Sequence, residues 1–331
     1  MTRRSRLVFV RRRARPLLIW AGLAVSATFA YLAIRDVHWS DVWDALTTND
    51  YWWLGPALLL LACANVVRAL RWRSLFEEPT RPPFLPTLKS MLVGQFFNNV
   101  MPARAGEAVR IVVLHRDAGT SRAEAAGTVL TERVFDVLAL LLLLFAALPW
   151  FPTVSWLRAA AILAAALAFG LVVAVALLLR FGERPLVVLA RPLILLPFMS
   201  EDRLAYAATN LARGLAGIRD RRIALTAFWW TLLSWILIGL SDWVLMLGFD
   251  FNVPFGAGLL VAIATGLAWL IPSAPAAVGV FEAATLVALA AYGVPRSEAL
   301  SYALVLHAMN FVPYVVAGVV VLRVDHLLRR R

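Results

Sequence analysis

The sequence predicts an all-α fold: a polytopic integral membrane helical bundle. It has about six full spans plus two broken or re-entrant helical elements, or about eight spans if these cross fully. Three observations carry this. Of 331 residues, 62% are hydrophobic and only 16% are charged, against about 25% charge in ordinary soluble domains. Mean hydropathy is +0.78, and several apolar runs approach the ~20 residues that cross a ~30 Å hydrocarbon core. The arginines crowd residues 1–15, 180–222 and 323–331, the flanks that mark cytoplasmic loops. Barrel strands would alternate in polarity, and these runs do not.

The elements follow in order. Residues 1–16 form a basic cytoplasmic N-terminus, 17–322 a single transmembrane domain, and 323–331 a basic cytoplasmic tail. Residues 17–34 are the first span, retained because no small-residue cleavage site follows it. Residues 35–50 carry Asp36, Asp41, Asp44 and Asp50 against one arginine and fit the outer face. Residues 51–70 return through the aromatic anchor Tyr51-Trp52-Trp53. Arg71, Arg73 and Arg81 then mark the inner face, where Pro79, Pro82, Pro83 and Pro86 break the helix.

Residues 85–102 are apolar but short, interrupted by Lys89, Gln95, Asn98 and Asn99, and end at Pro102. A helix that enters, breaks and turns back accounts for that pattern. Residues 125–150 cross outward and 156–180 return. The long basic segment 181–222 lies on the inner face, and 223–247 crosses outward. Residues 255–292 repeat the broken pattern around Pro272 and Pro275, and 301–322 cross inward. Both termini then face the cytoplasm of a cell membrane.

The halves 85–150 and 255–322 resemble each other weakly. Gly119-Thr-Ser-Arg-Ala-Glu-Ala125 matches Gly293-Val-Pro-Arg-Ser-Glu-Ala299 at Gly, Arg, Glu and Ala. In register, Arg133 and Asp136 meet His307 and Asn310, while Glu107 falls near Glu282. Two ordinary polar helix starts would also give this match. If the repetition is real, the topology makes it inverted, and paired broken segments in inverted halves point to a transporter site near the midplane.

The candidate chemistry lies in polar groups placed in or beside the bilayer. Each costs roughly 2.5–3.5 kcal/mol at the centre of an isolated span. Glu132, Arg133 and Asp136 share a helix, with Glu132 and Asp136 on one face at i and i+4. Arg133 either snorkels or offers its planar fork to a phosphate. Arg104 and Arg110 flank Gly106-Glu107 and are either topology charges or an anion cradle at a helix start. Asn98 and Asn99 either bond a passing headgroup or join helices. Glu282, alone in an apolar arm, is a proton carrier, a partner of Arg133 or a satisfied structural acid. His307 and Asn310 are weaker candidates. Asp242 beside Trp243 reads as an outer-interface residue, solvated there. No phosphate-binding glycine loop, nucleophile elbow or zinc-spaced histidine pair occurs, so neither catalysis nor a metal or other cofactor is expected. Cys63 is the only cysteine, which rules out an internal disulfide.

Three motifs together resemble the flippase-like family of lysylphosphatidylglycerol synthase transmembrane domains. These are Asn98-Asn99-Val-Met-Pro-Ala-Arg-Ala-Gly-Glu107 with Arg110, then Glu132-Arg133-Val-Phe-Asp136, then Pro272 through Gly279-Val-Phe-Glu282. The likeness covers roughly residues 15–325. It implies a helical bundle that moves an aminoacylated or glycosylated lipid between leaflets. Some relatives carry a fused soluble aminoacyl-transferase domain; a chain ending at Arg331 is expected to lack it and the synthase activity. One departure is Pro275-Ala-Ala-Val-Gly279, where the family usually has more glycine.

The expected function is therefore a lipid flippase, not an enzyme. Asn98, Asn99, Arg104, Glu107, Arg110, Glu132, Arg133, Asp136, Glu282, His307 and Asn310 are its expected headgroup residues. Arg110 and Arg133 would hold the phosphate. The alternatives are a membrane-embedded transferase or accessory subunit acting on polyprenyl-phosphate-linked sugar, or a proton-coupled small-solute transporter. The expected partner is a membrane phospholipid or polyprenyl-linked lipid and not nucleic acid; a homo-oligomer and a separate lipid-modifying synthase stay open.

The topology is testable with an impermeant thiol reagent on intact cells in a Cys63→Ala background. A cysteine at Ser297 should label from outside and one at Ser121 should not. The reverse pattern would contradict both the orientation and the inverted repeat.

Overall fold

Backbone N–H and C=O groups in a bilayer must be satisfied within their own segment, so the apolar runs become helices. The computed structural model describes residues 20, 22–101, 104–152, 154, scattered helical positions between 159 and 180, 220–269, 271 and 273–329. The expectations for residues 1–19, Pro102, Pro272, 181–219 and the last two arginines lie outside the described residues. Among the described residues there is no strand.

The helices are α1 Gly22–Ile34, α2 Trp39–Thr48, α3 Leu54–Ser74, α4 Phe84–Val100 and α5 Ala105–Ala118. They continue as α6 Arg122–Ala147, α7 Arg221–Gly248, α8 Phe255–Ala268, α9 Val280–Ala290 and α10 Arg296–Arg329. α10 therefore runs on through most of the expected tail. Three described stretches are long and apolar enough to cross a membrane: Tyr51–Ser74, Arg221–Gly248 and Arg296–Val324. α6 is 26 residues long, but Glu132, Arg133 and Asp136 interrupt its apolar character.

Local chemistry sets the ends. The Asp220 carboxylate accepts from the N–H groups of Arg222 and Ile223 and caps α7. The Ser121 hydroxyl caps α6 by accepting from the Glu124 N–H. Such caps serve the free N–H groups of a first turn.

Contacts between loops define the two ends of the bundle. At one end Asp50 N–H donates to Gly248 C=O at 3.0 Å, Ser301 Oγ donates to Val42 C=O at 3.0 Å, and Arg296 donates to Leu32 C=O. At the other, arginine-rich end, Thr80 Oγ1 donates to Glu124 Oε1 at 2.7 Å. The spans α3, α6, α7 and α10 run between these ends, with α3 and α7 packed along each other.

The broken elements are two helical hairpins. α4 and α5 both have their outer ends on the arginine-rich side, where Lys89 Nζ meets Asp117 Oδ2 at 2.7 Å. α8 and α9 open on the opposite side, where Gly256 lies against the Tyr292 hydroxyl. Arms of 17 and 14 residues reach about 26 and 21 Å, short of a full ~30 Å core. The tips meet: α4 packs against the short 3-10 turn Pro275–Ala277. Both elements re-enter rather than cross.

Left-handed backbone makes the breaks. Arg104 has φ 52° just before α5. In the second hairpin Ala276 has φ 56° and Ala277 has φ 58°, which costs a non-glycine residue roughly 1–2 kcal/mol. These alanines stand in the segment where the resemblance leads one to expect more glycine. Gly279, with φ 85°, lies so close to α1 that a Cβ would come 2.3 Å from Ser26 O. Ser26 in turn accepts from Ala274 N–H at 2.8 Å, docking α1 on the second break.

Gly106 closes the first hairpin. A Cβ there would sit 1.9 Å from Gly94 O and 2.5 Å from Asn98 Oδ1, so the arms touch backbone to backbone. Gly106→Ala must push them apart. Overpacking of this kind costs about 1–3 kcal/mol. The expected result is a clearly lowered melting temperature in detergent; an unchanged one would contradict this tip geometry.

Candidate functional site

Residues from α3, α5 and α6 form a closed ring of alternating charge. Arg71 contacts Glu132 at 2.9 Å and Asp136 at 2.5 Å. Glu132 also meets Arg110 at 2.7 Å, and Arg110 meets Glu107 at 2.7 Å. Glu107 meets Arg133 at 2.8 Å, and Arg133 closes the circuit on Asp136 at 3.3 Å. Three arginines face three carboxylates, so the ring is formally neutral.

The helical spacing builds it. Glu132 and Asp136 at i and i+4 project from one face of α6 and grip a single guanidinium. Arg71 gives Glu132 both its Nε, at 3.1 Å, and an Nη, at 2.9 Å. Trp235 Nε1 on α7 adds a bond to Asp136 Oδ1 at 3.2 Å. Arg110 lies over the Trp72 ring at 4.6 Å. Arg71 is 3% and Glu132 0% exposed. Groups so deeply buried survive only because each has partners on two sides.

Arg71 is therefore not an inner-face topology charge, as the sequence suggests, but a buried partner of α6. It lies within α3, one residue before the fully buried Trp72. The triad Glu132, Arg133 and Asp136 is not self-contained either: α3 and α5 complete it.

Beside the ring lies a cavity of about 140 Å³, roughly ten times what one water needs. Of the expected headgroup residues, Asn98, Asn99, Arg104, Glu107, Arg110, Arg133, Asp136 and Asn310 line it. Glu132 sits behind the wall. Glu282 and His307 are absent from the lining. They pair with each other instead, His307 Nδ1 to Glu282 Oε1 at 2.5 Å. Glu282 Oε2 also accepts from Gly279 N–H at 2.7 Å. Glu282 is thus neither alone nor paired with Arg133. The two hairpins match: Glu107 and Glu282 are each the third residue of the returning arm. Each reaches the following span, at Arg133 in one half and at His307 in the other.

Two further cations line the cavity, and sequence reasoning passed over one of them entirely. Arg68 lies over the Trp235 ring at 5.0 Å and Arg104 over the Trp269 ring at 6.0 Å. Arg68 Nε and one Arg104 Nη are buried with no hydrogen-bond partner among the described residues. Neither arginine has an ion pair there. The available signal was the spacing: Arg68 and Arg71 are i and i+3 within one apolar run, hence on one face.

Asp242 also lines the cavity and is 3% exposed. It is not solvated at an outer interface as expected, because α8 and α10 pack over α7.

Ring integrity is testable. Removing one member of a buried ion pair costs about 3–5 kcal/mol by leaving its partner uncompensated. Arg71→Ala should therefore sharply lower resistance to unfolding in denaturing detergent, and Arg71→Lys should recover only part, because an ammonium cannot fork between two carboxylates. Wild-type stability in Arg71→Ala would contradict the ring.

Comparison with known proteins agrees with a membrane protein. The family model described as the lysylphosphatidylglycerol synthase TM region matches residues 19–318. A UPF0104 membrane protein of Methanothermobacter thermautotrophicus is 26% identical over 287 residues, covering 82% of this chain and 83% of that relative. A UPF0104 membrane protein of Methanocaldococcus jannaschii is 22% identical over 233 residues, covering 68% of this chain and 92% of that relative. By this match over nearly its whole length, the chain belongs to the lysylphosphatidylglycerol synthase TM region family of multi-pass membrane proteins.

Proposed function

We propose that this protein is a lipid flippase: it carries the polar headgroup of a phospholipid or lipid-linked group through the cavity while the tails stay in the bilayer. The observation that supports this most is the charge surplus. Three arginines and three carboxylates cancel in the ring, and Arg68 and Arg104 remain over. Two guanidiniums with no ion-pair partner among the described residues, in a low-dielectric cavity, suit an anion. A phosphate ester supplies it. Asn98, Asn99 and Asn310 line the same space and would bond the rest of the headgroup.

Arg110 and Arg133 play a supporting part in this reading. Each already meets two carboxylates, so they fix the cavity wall and its potential. Arg68 and Arg104 seat the phosphate. Tryptophan rings lie 5.0 and 6.0 Å from the two guanidiniums, a cation–π contact that leaves N–H groups for a ligand to accept from. The lipid leaves with its covalent bonds unchanged, and the opposed hairpin tips form the two sides of its path.

Vesicles reconstituted with the protein and a fluorescent phospholipid test this, with fluorescence in the outer leaflet quenched chemically. Wild type should speed exchange between leaflets. Hydrogen bonds from charged groups are worth about 1.5–3 kcal/mol, so Arg68→Gln and Arg104→Gln should each slow exchange by roughly tenfold or more. A lipid recovered with an altered mass would replace the flippase by a transferase. Unaltered exchange in the double variant would remove the phosphate site.

A further inference from the structure

The flippase reading leaves one charged cavity residue without a role. Asp242 on α7 lines the cavity, and among the described residues its carboxyl has no ion pair and no hydrogen bond. Only its backbone is engaged, as the Tyr302 hydroxyl donates to the Asp242 C=O at 2.8 Å. Trp235, Ile238 and Asp242 line the cavity together, as i, i+3 and i+7 positions on one helix face do. Asp242 therefore lies about 10.5 Å along the axis from Trp235, towards the end where Gly248 meets Asp50.

Arg68 stacks on the Trp235 ring at 5.0 Å, and the Trp235 Nε1 bonds Asp136 at 3.2 Å. Arg68 thus stands at the level of Trp235, Arg104 lines the cavity beside Trp269, and Asp242 lies further along α7 with no ion pair among the described residues. The other titratable groups lining the cavity are Glu107, Asp136, Tyr314 and the three ring arginines. The two carboxylates among them are paired within the ring.

A carboxylate taken out of water costs several kcal/mol unless a cation meets it. An anion at Arg68 and Arg104 adds negative charge to the same low-dielectric space. A cation at Asp242 then binds better with the anion present, and by reciprocity the anion binds better with the cation present. We propose that Asp242 is a monovalent-cation site coupled to the anion site at Arg68 and Arg104, so that phosphate and cation occupy the cavity together. The identity of the anion rests on the flippase reading. The cation comes from one of two sources: the ammonium of the headgroup itself, or a sodium ion or proton from solution.

Calorimetry on the purified full chain separates these, using short-chain phosphatidylglycerol, which has no amine, and short-chain phosphatidylethanolamine. If the cation is a free ion, wild type should bind phosphatidylglycerol at least about fivefold more tightly with added sodium or at lower pH. If it is the headgroup ammonium, wild type should prefer phosphatidylethanolamine by a similar factor without ion dependence. Asp242→Asn should abolish whichever dependence is seen, and Asp242→Glu should keep it. Should Arg68→Gln weaken both lipids while Asp242→Asn changes neither ion dependence nor lipid preference, the cation site is refuted and the phosphate site stands. Should Arg68→Gln change nothing, or neither lipid bind, both fall.

Discussion

The neutral ring of Arg71, Glu132, Arg110, Glu107, Arg133 and Asp136 is the constraint on which the rest of this bundle depends. Six charges in a membrane interior would be prohibitive singly. Joined alternately, each meets two opposite neighbours. The circuit can close only if α5 lies against α6 with Glu107 level with Arg133, and only if α3 brings Arg71 beneath both. The ring thus sets the depth of the first hairpin and the register of two spans. It also sets what is left over: with the ring balanced, any further arginine on the cavity adds net positive charge.

The hairpins follow the same logic of enclosed polarity. A left-handed break leaves backbone groups that lipid tails cannot serve. Here the tip of α4 rests on the Pro275–Ala277 turn, and α1 serves the second break through Ser26. Arg104 of the first break lines the cavity, while the second is packed between α4 and α1. Glu107 with Arg133 and Glu282 with His307 tie each returning arm to the span that follows it. Only the first of these pairs opens onto the cavity. The two halves are alike in framework and unlike in charge.

Much of this was legible in the sequence because bilayer chemistry is restrictive. The apolar runs gave the spans, and the polar breaks near Pro102 and Pro275 gave the re-entrant elements. The i and i+4 spacing of Glu132 and Asp136 gave a shared face. The register that set Arg133 against His307 aligned two residues that each meet a glutamate of a returning arm, though neither pairing was itself readable from the sequence. What stayed hidden depends on partners distant in sequence. Arg71 reads as the flank of a span, since only the arrival of α6, 61 residues later, converts it into a buried partner. Arg68 is hidden for the same reason. Asp242 reads as interfacial because its nearest signal is Trp243, whereas α8 and α10 cover it. Nothing in the residues around Glu282 names His307, which lies 25 positions on.

The central claim is that Arg68 and Arg104 form an anion seat beside a neutralised ring. The most direct test is an experimental structure of the protein in lipid nanodiscs containing one anionic phospholipid, compared with the same preparation of Arg68→Gln. Headgroup phosphate within hydrogen-bonding distance of both Arg68 and Arg104, lost in the variant, is the predicted result. A phosphate bound instead to Arg110 or Arg133 with the ring opened, or headgroups ordered only outside the bundle, would contradict it.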